Sequence, residues 1–161
     1  MEKFFNKKGK HDSGRTPEWL KQYIFDNWGE THDVTPFNPT FNPKKDPDAL
    51  KVDWTTPVYC NPPYSHYKPF LKKGYDLWKQ NGTVSIFLVK TDHLCTKLFE
   101  QFSEECELRF FTRRLRFQGY DHNAPFPSVL IIFDGNKKRQ FSVISVPQRS
   151  KNKDVNNSNK Q

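Results

Sequence analysis

The segment Cys60-Asn61-Pro62-Pro63-Tyr64-Ser65 is where residue types and order in this chain could do chemistry. Asn61 offers a side-chain amide oxygen that accepts hydrogen bonds. Pro62 offers a backbone carbonyl on a ring-fixed φ, and Pro63 biases Pro62 to an extended conformation. Two acceptors held this rigidly suit a planar amino group, such as the exocyclic nitrogen of adenine. That nitrogen is a poor nucleophile because its lone pair is delocalised into the ring. Accepting both of its hydrogens draws it toward a tetrahedral geometry and frees the lone pair to attack a methyl group. Tyr64 adds a ring on which a base turned out of a duplex can stack. The chemistry needs no metal and no covalent nucleophile. A rigid turn capped by an aromatic is the bland alternative, and for a generic Pro-Pro turn it would prevail. Asn before Pro-Pro-Tyr at a strand end is more specific. Cys60 has no His or Asp beside it in sequence and reads as a buried structural thiol.

The elements around the turn must position it. Val58-Tyr59-Cys60 reads as a strand running into the Asn-Pro-Pro turn. A helix opens at 16–18, with Thr16 as N-cap, Pro17 in the first turn and Glu18 near the positive end of the dipole. Trp19, Leu20, Tyr23, Ile24 and Trp28 give it one apolar face, and Gly29 stops it. Residues 32–34 suit a very short strand. Pro36, Pro39, Pro43 and Pro47 make 35–48 an extended loop. A helix over 67–80 turns Phe70, Leu71, Tyr75 and Trp78 inward. Further strands are expected at 83–89, 108–111 and 128–133, with another at 141–146. A helix is expected over 91–103, capped by Thr91 or Asp92. Alternating strands and helices predict an α/β fold, a mostly parallel sheet with helices on both faces. Ligands of such sheets lie at the carboxyl ends of the strands, where the Asn-Pro-Pro-Tyr turn falls.

The composition limits the classes. A net charge of +8 favours a polyanionic partner, although lysines in both end segments contribute much of it. Three cysteines without CxxC spacing support neither a disulfide framework nor a zinc site. The apolar runs are too short to span a bilayer, and residues 1–10 do not read as a secretory signal. A soluble, intracellular protein without metal is expected. Residues 1–14 read as a flexible basic arm, 15–147 as one domain, and 148–161 as a disordered polar tail.

The catalytic-type turn resembles that of the phage-type, Dam-like DNA N6-adenine methyltransferases. The likeness extends in order along the chain: Thr16-Pro17 before an aromatic helix, Asp33-Val34, and Asp48-Ala49-Leu50 before Trp54. It continues through Lys90-Thr91-Asp92, Arg114-Leu115-Arg116-Phe117 and Ala124-Pro125-Phe126-Pro127-Ser128. The family implies a reduced Rossmann-like class I fold, S-adenosylmethionine as donor and adenine in double-stranded DNA as acceptor. By position it implies a catalytic turn of Asn61, Pro62, Pro63 and Tyr64. Cofactor contacts would come from Thr16, Pro17, Asp33, Asp48 and Asn61, with Asp33 and Asp48 as the carboxylates. Ser65, Arg113, Arg114 and Arg116 lie where DNA would be held, although a solvated charge run serves the arginines equally well. If phage or virus encoded, the protein would work in the host cytoplasm. Alternatives stay open: methylation of RNA adenine or protein glutamine, or a catalytically inactive nucleic-acid-binding or virion-associated protein. The family's small residues after the first acid are replaced here by Val34-Thr35-Pro36-Phe37.

Overall fold

The computed structural model describes residues 14–38, 44–135 and 141–148. Its strands are β1 (His32–Asp33), β2 (Val58–Cys60), β3 (Ser85–Lys90), β4 (Glu107–Phe111), β5 (Ser128–Phe133) and β6 (Phe141–Ile144). The helices are α1 (Glu18–Trp28), α2 (Tyr67–Asn81) and the single-turn α3 (Lys97–Glu100). The strands form one sheet in the order β1-β2-β3-β5-β4-β6. Neighbours β1, β2 and β3 pair in parallel, as do β4 and β6, whereas β5 runs antiparallel to both β3 and β4. The expected mostly parallel sheet is therefore interrupted by one reversed strand. That reversal matters for the site. Lys90 at the end of β3 pairs with Ser128 at the start of β5, so the residues just before β5 reach the end of the sheet where the Asn61 turn lies.

Both faces of the sheet are covered. The residues of the central strands alternate between two apolar clusters, as the period of two requires. Cys60, Phe87, Val89 and Ile131 join Phe70 and Leu71 of α2 on one face. Tyr59, Ile86, Leu88 and Leu130 join Leu20 and Ile24 of α1 on the other. Each such side chain contributes roughly 1.5–3 kcal/mol when fully buried. Helix α2 comes unusually close to β3 at Gly74, where an added Cβ would stand 2.4 Å from the Phe87 ring. An ion-pair network ties α1 to β4. Arg109 donates to Glu107 at 2.6 Å, to the Tyr23 hydroxyl at 2.7 Å and to Asn27 at 3.1 Å.

Three local expectations are revised. The helix over 91–103 is broken: a 3-10 turn over Thr91–Leu94 is followed by the four-residue α3. Thr96 is extended, with φ −132° and ψ 154°, and its hydroxyl accepts from the Phe99 amide. It starts a new helix instead of continuing an old one. Neither Thr91 nor Asp92 is the cap; Lys90 precedes the 3-10 turn, and the Thr91 amide donates to the Pro127 carbonyl. Nor does Thr16 cap α1. Pro17 holds that position without a side-chain bond, because the Thr16 hydroxyl is engaged with Tyr59. The expected loop over 35–48 has no helix or strand at 35–38 and 44–48, and 39–43 lie outside the described residues. Most of the two end segments, 1–13 and 149–161, also lies outside them. Among the described residues, no helix is long and apolar enough to cross a membrane.

Candidate active site

Strand β2 delivers Asn61 to the carboxyl end of the sheet, and the side chain is 6% exposed. Its position is fixed from two sides. The backbone amide donates to the Thr35 hydroxyl at 3.0 Å. The side-chain nitrogen donates to the Gly14 carbonyl at 2.6 Å and lies 3.5 Å from the Thr16 hydroxyl. The side-chain oxygen is buried and has no hydrogen-bond partner. A buried acceptor left unsatisfied is costly and is rarely tolerated without a use. Here the unused atom is the acceptor that the proposed chemistry needs.

Pro62 is buried and Pro63 half-buried. Pro63, at φ −54° and ψ 128°, leads into a 3-10 turn over Tyr64–His66 that runs into α2. Tyr64 is 8% exposed and meets Phe126 edge-on, with ring centroids 5.1 Å apart. The Lys90 ammonium lies 4.7 Å from the Tyr64 ring centre and 4.5 Å from that of Phe126. Two rings and a cation thus converge beside the turn. Phe126 comes from the 124–128 segment, which the β3–β5 pairing carries there.

Thr16 is buried, and its hydroxyl shares a hydrogen bond of 2.8 Å with that of Tyr59. Burial pushes the Tyr59 phenol well above its ordinary pKa. Pro17 is buried beside Thr16, before α1. Tyr59 and Asp33 line an open cleft of about 390 Å³ with Glu18, Lys21, Phe25, Glu30 and Thr31. Asp33 remains solvent-exposed, and its carboxylate accepts from the Thr35 amide at 3.0 Å. Desolvation by the surrounding protein nevertheless raises its pKa, with the Thr35 amide opposing.

The other expected site residues are engaged differently. Asp48 closes its own turn: its carboxylate accepts from the Leu50 amide and its carbonyl from the Lys51 amide. The segment after it is anchored to α2, where Lys73 donates to the carbonyls of Leu50 and Val52 and sits over Trp54. These contacts give Asp48 a local turn-forming role and do not join it to Asn61. Arg116 holds the carbonyls of Tyr120 and Asp121, whereas Arg113, Arg114 and Ser65 are exposed. The bland reading thus has direct support for Arg116. His66 and His122 are exposed surface groups.

Cys60 is buried, with its thiol pushed well up by desolvation against a weak bond from the Thr35 hydroxyl. A protonated thiol is no nucleophile. The other two cysteines are free as well: Cys95 is exposed and Cys106 buried. Among the described residues, no group of three or more metal-ligating side chains converges.

Sequence reasoning missed Gly14, Thr35, Tyr59 and the convergence of Lys90 on Tyr64. Tyr59 carried a signal, a polar tip between two apolar neighbours on a buried strand. Gly14 carried none, because its partner is 47 positions away. No curated protein matches the chain in sequence. A family model described as DNA N-6-adenine-methyltransferase (Dam) matches residues 5–160.

Proposed function

Because the chain belongs to the DNA N-6-adenine-methyltransferase (Dam) family, we propose that it methylates the exocyclic nitrogen of adenine in double-stranded DNA at the Asn61–Tyr64 turn. The observation that carries this reading is the buried, unpartnered oxygen of Asn61 beside a nitrogen already engaged. Asn61 accepts one amino hydrogen and the Pro62 carbonyl the other. Together they hold the amino nitrogen with its lone pair presented for reaction. The proton shed afterwards needs no strong base and leaves to water. Buried His93, whose pKa desolvation lowers to about 4, is neutral at pH 7 and has no assigned step.

S-adenosylmethionine fits the cleft in size and charge. About 390 Å³ falls within the usual range of small-molecule sites, roughly 300–1000 Å³. Asp33 and Glu30 set negative charge around it, while Glu18 is paired with Lys21 of the same lining at 3.0 Å. The two acids suit a cofactor bearing an ammonium and a sulfonium. When bound, this group supplies an activated methyl. Asp33 would hold it from the cleft wall, and the Thr16–Tyr59 hydrogen bond links that wall to Asn61. A six-stranded α/β sheet with one reversed strand supports a reduced Rossmann-like class I frame.

The target base would be turned out of the duplex and would meet Tyr64 and Phe126, exchanging places with the Lys90 ammonium. Unstacking a base costs a few kcal/mol, and stacking on an aromatic returns about 1–3 kcal/mol. Arg113 and Arg114, both exposed, would hold phosphates. Thr35 lies in the segment that departs from the family pattern. Here it fixes the Asn61 amide, which favours the catalytic reading over an inactive one.

Labelled methyl transfer to adenine-containing duplexes, followed by digestion to nucleosides, tests the proposal. N6-methyladenine is the expected product. Cofactor binding measured by calorimetry, with no methyl transferred to DNA, would overturn the assignment of substrate. No cofactor binding at all would favour the inactive alternative.

A further inference from the structure

An amide has two nearly equivalent faces, and only one orientation of Asn61 serves an acceptor role. Its orientation is set by the segment 14–17. Were the carboxamide turned over, its oxygen would stand where its nitrogen now lies, 2.6 Å from the Gly14 carbonyl. Two acceptors at that distance repel. The Gly14 carbonyl therefore selects the state in which the Asn61 oxygen is left unused.

That carbonyl must itself be held. Gly14 packs so tightly on Phe117 that an added Cβ would lie 2.3–2.7 Å from three of its carbons. Gln118, next in sequence, fastens the residues that follow Gly14. Its backbone amide donates to the Arg15 carbonyl at 2.9 Å. Its side-chain nitrogen donates to the Thr16 carbonyl at 2.6 Å and to the Glu18 carboxylate at 2.7 Å. Both side-chain hydrogens of Gln118 are thus spent on the strap.

We propose that Gln118 is a positioning residue for the transfer: it pins the 14–18 strap so that the Gly14 carbonyl keeps the Asn61 oxygen facing the amino group. This rests on the methyltransferase reading of Asn61. Gln118 is not among the residues lining the cleft, and it acts through its bonds to the strap.

Two measurements on the full chain test it. The first is hydrogen exchange of the Asn61 side-chain amide by NMR, with the resonance assigned by its disappearance in Asn61→Asp. The second is single-turnover methyl transfer. Gln118→Leu removes the donor, and Gln118→Glu replaces it with an acceptor facing Glu18, so two independent variants carry the test. Thermal melts identify any variant that fails to fold. In either variant the Asn61 amide should lose protection, and transfer should slow by about 10- to 100-fold, the scale of a misplaced catalytic group. The strap carries Glu18 of the cleft wall and Thr16, which is bonded to Tyr59 of that wall. Cofactor affinity should therefore fall as well, and transfer is measured at saturating cofactor. DNA affinity should be unchanged. Retained amide protection would overturn the proposal. So would lost protection with transfer at the unmutated rate. If the unmutated protein transfers no methyl group, the functional reading fails, and the exchange data still report whether Gln118 orients Asn61.

Discussion

Replacing Thr35 by Val tests whether the catalytic turn is held from the β1 side. Val matches Thr in shape and removes only the hydroxyl. In the native protein that hydroxyl accepts from the Asn61 amide at 3.0 Å and points weakly at Cys60 Sγ at 3.8 Å. The variant therefore leaves a partly buried backbone N–H without a partner. Such a group costs about 1–3 kcal/mol. Because Thr35 is only half-buried, water can relieve part of this, and about 1–2 kcal/mol is expected. For a chain of this size that lowers Tm by roughly 2–4 °C per kcal/mol. The same loss frees the Asn61 backbone, so single-turnover methyl transfer should fall by about tenfold or more. Thr35→Ser keeps the acceptor and should behave nearly as the unmutated protein in both assays. Differential scanning calorimetry and single-turnover kinetics give the two readouts. A Thr35→Val protein that melts and reacts like Thr35→Ser would refute the argument that this hydrogen bond holds the turn.

Other expectations follow from the same contacts. His93 is stacked on Tyr67 with ring centroids 3.4 Å apart, and desolvation lowers its pKa from 6.5 to about 4. The unfolded chain therefore binds more protons than the native one between those values. The stability His93 contributes is full above pH 6.5 and is lost as pH falls toward 4. Melts across that range should show the decline, and His93→Phe should flatten it. Arg113→Ala with Arg114→Ala should lower the salt slope of DNA binding by up to about one unit per lost phosphate contact. Arg116→Ala should instead lower Tm, because Arg116 is spent on carbonyls; fluorescence titrations over a salt series separate the two. Asp33→Ala should weaken S-adenosylmethionine binding in calorimetry. Because its pKa is raised, binding to the unmutated protein should begin to fail on acidification at a higher pH than an ordinary Asp would give.

The readable parts of the fold were those fixed by neighbours in sequence. The apolar run before Asn-Pro-Pro gave β2 and its turn, and the spacing of Leu20 and Ile24 gave the buried face of α1. The 91–103 segment was misread because a Thr inside a helical pattern can ride along or start a new helix, and Thr96 does the latter. Asp48 closes a turn through the Leu50 amide, and its cofactor role rests on the resemblance of its neighbours alone. The arginines could not be sorted from sequence. Leu115 and Phe117 are buried on either side of Arg116, and that places its side chain against carbonyls while Arg113 and Arg114 stay exposed. The turn itself was legible, but its fastening was not. Gly14 meets Asn61 across 47 positions, and Gln118 meets Thr16 across 102. No local pattern encodes such pairs.

The most direct measurement is the single-turnover rate of methyl transfer to adenine-containing duplex DNA by Asn61→Ala, with folding checked by its melt. Removing one preorganised hydrogen-bonding group from a comparable site costs roughly 100- to 1000-fold in rate. A loss of that size, with cofactor binding largely intact, is what the acceptor role of Asn61 predicts. A folded Asn61→Ala protein that methylates at the unmutated rate would contradict it.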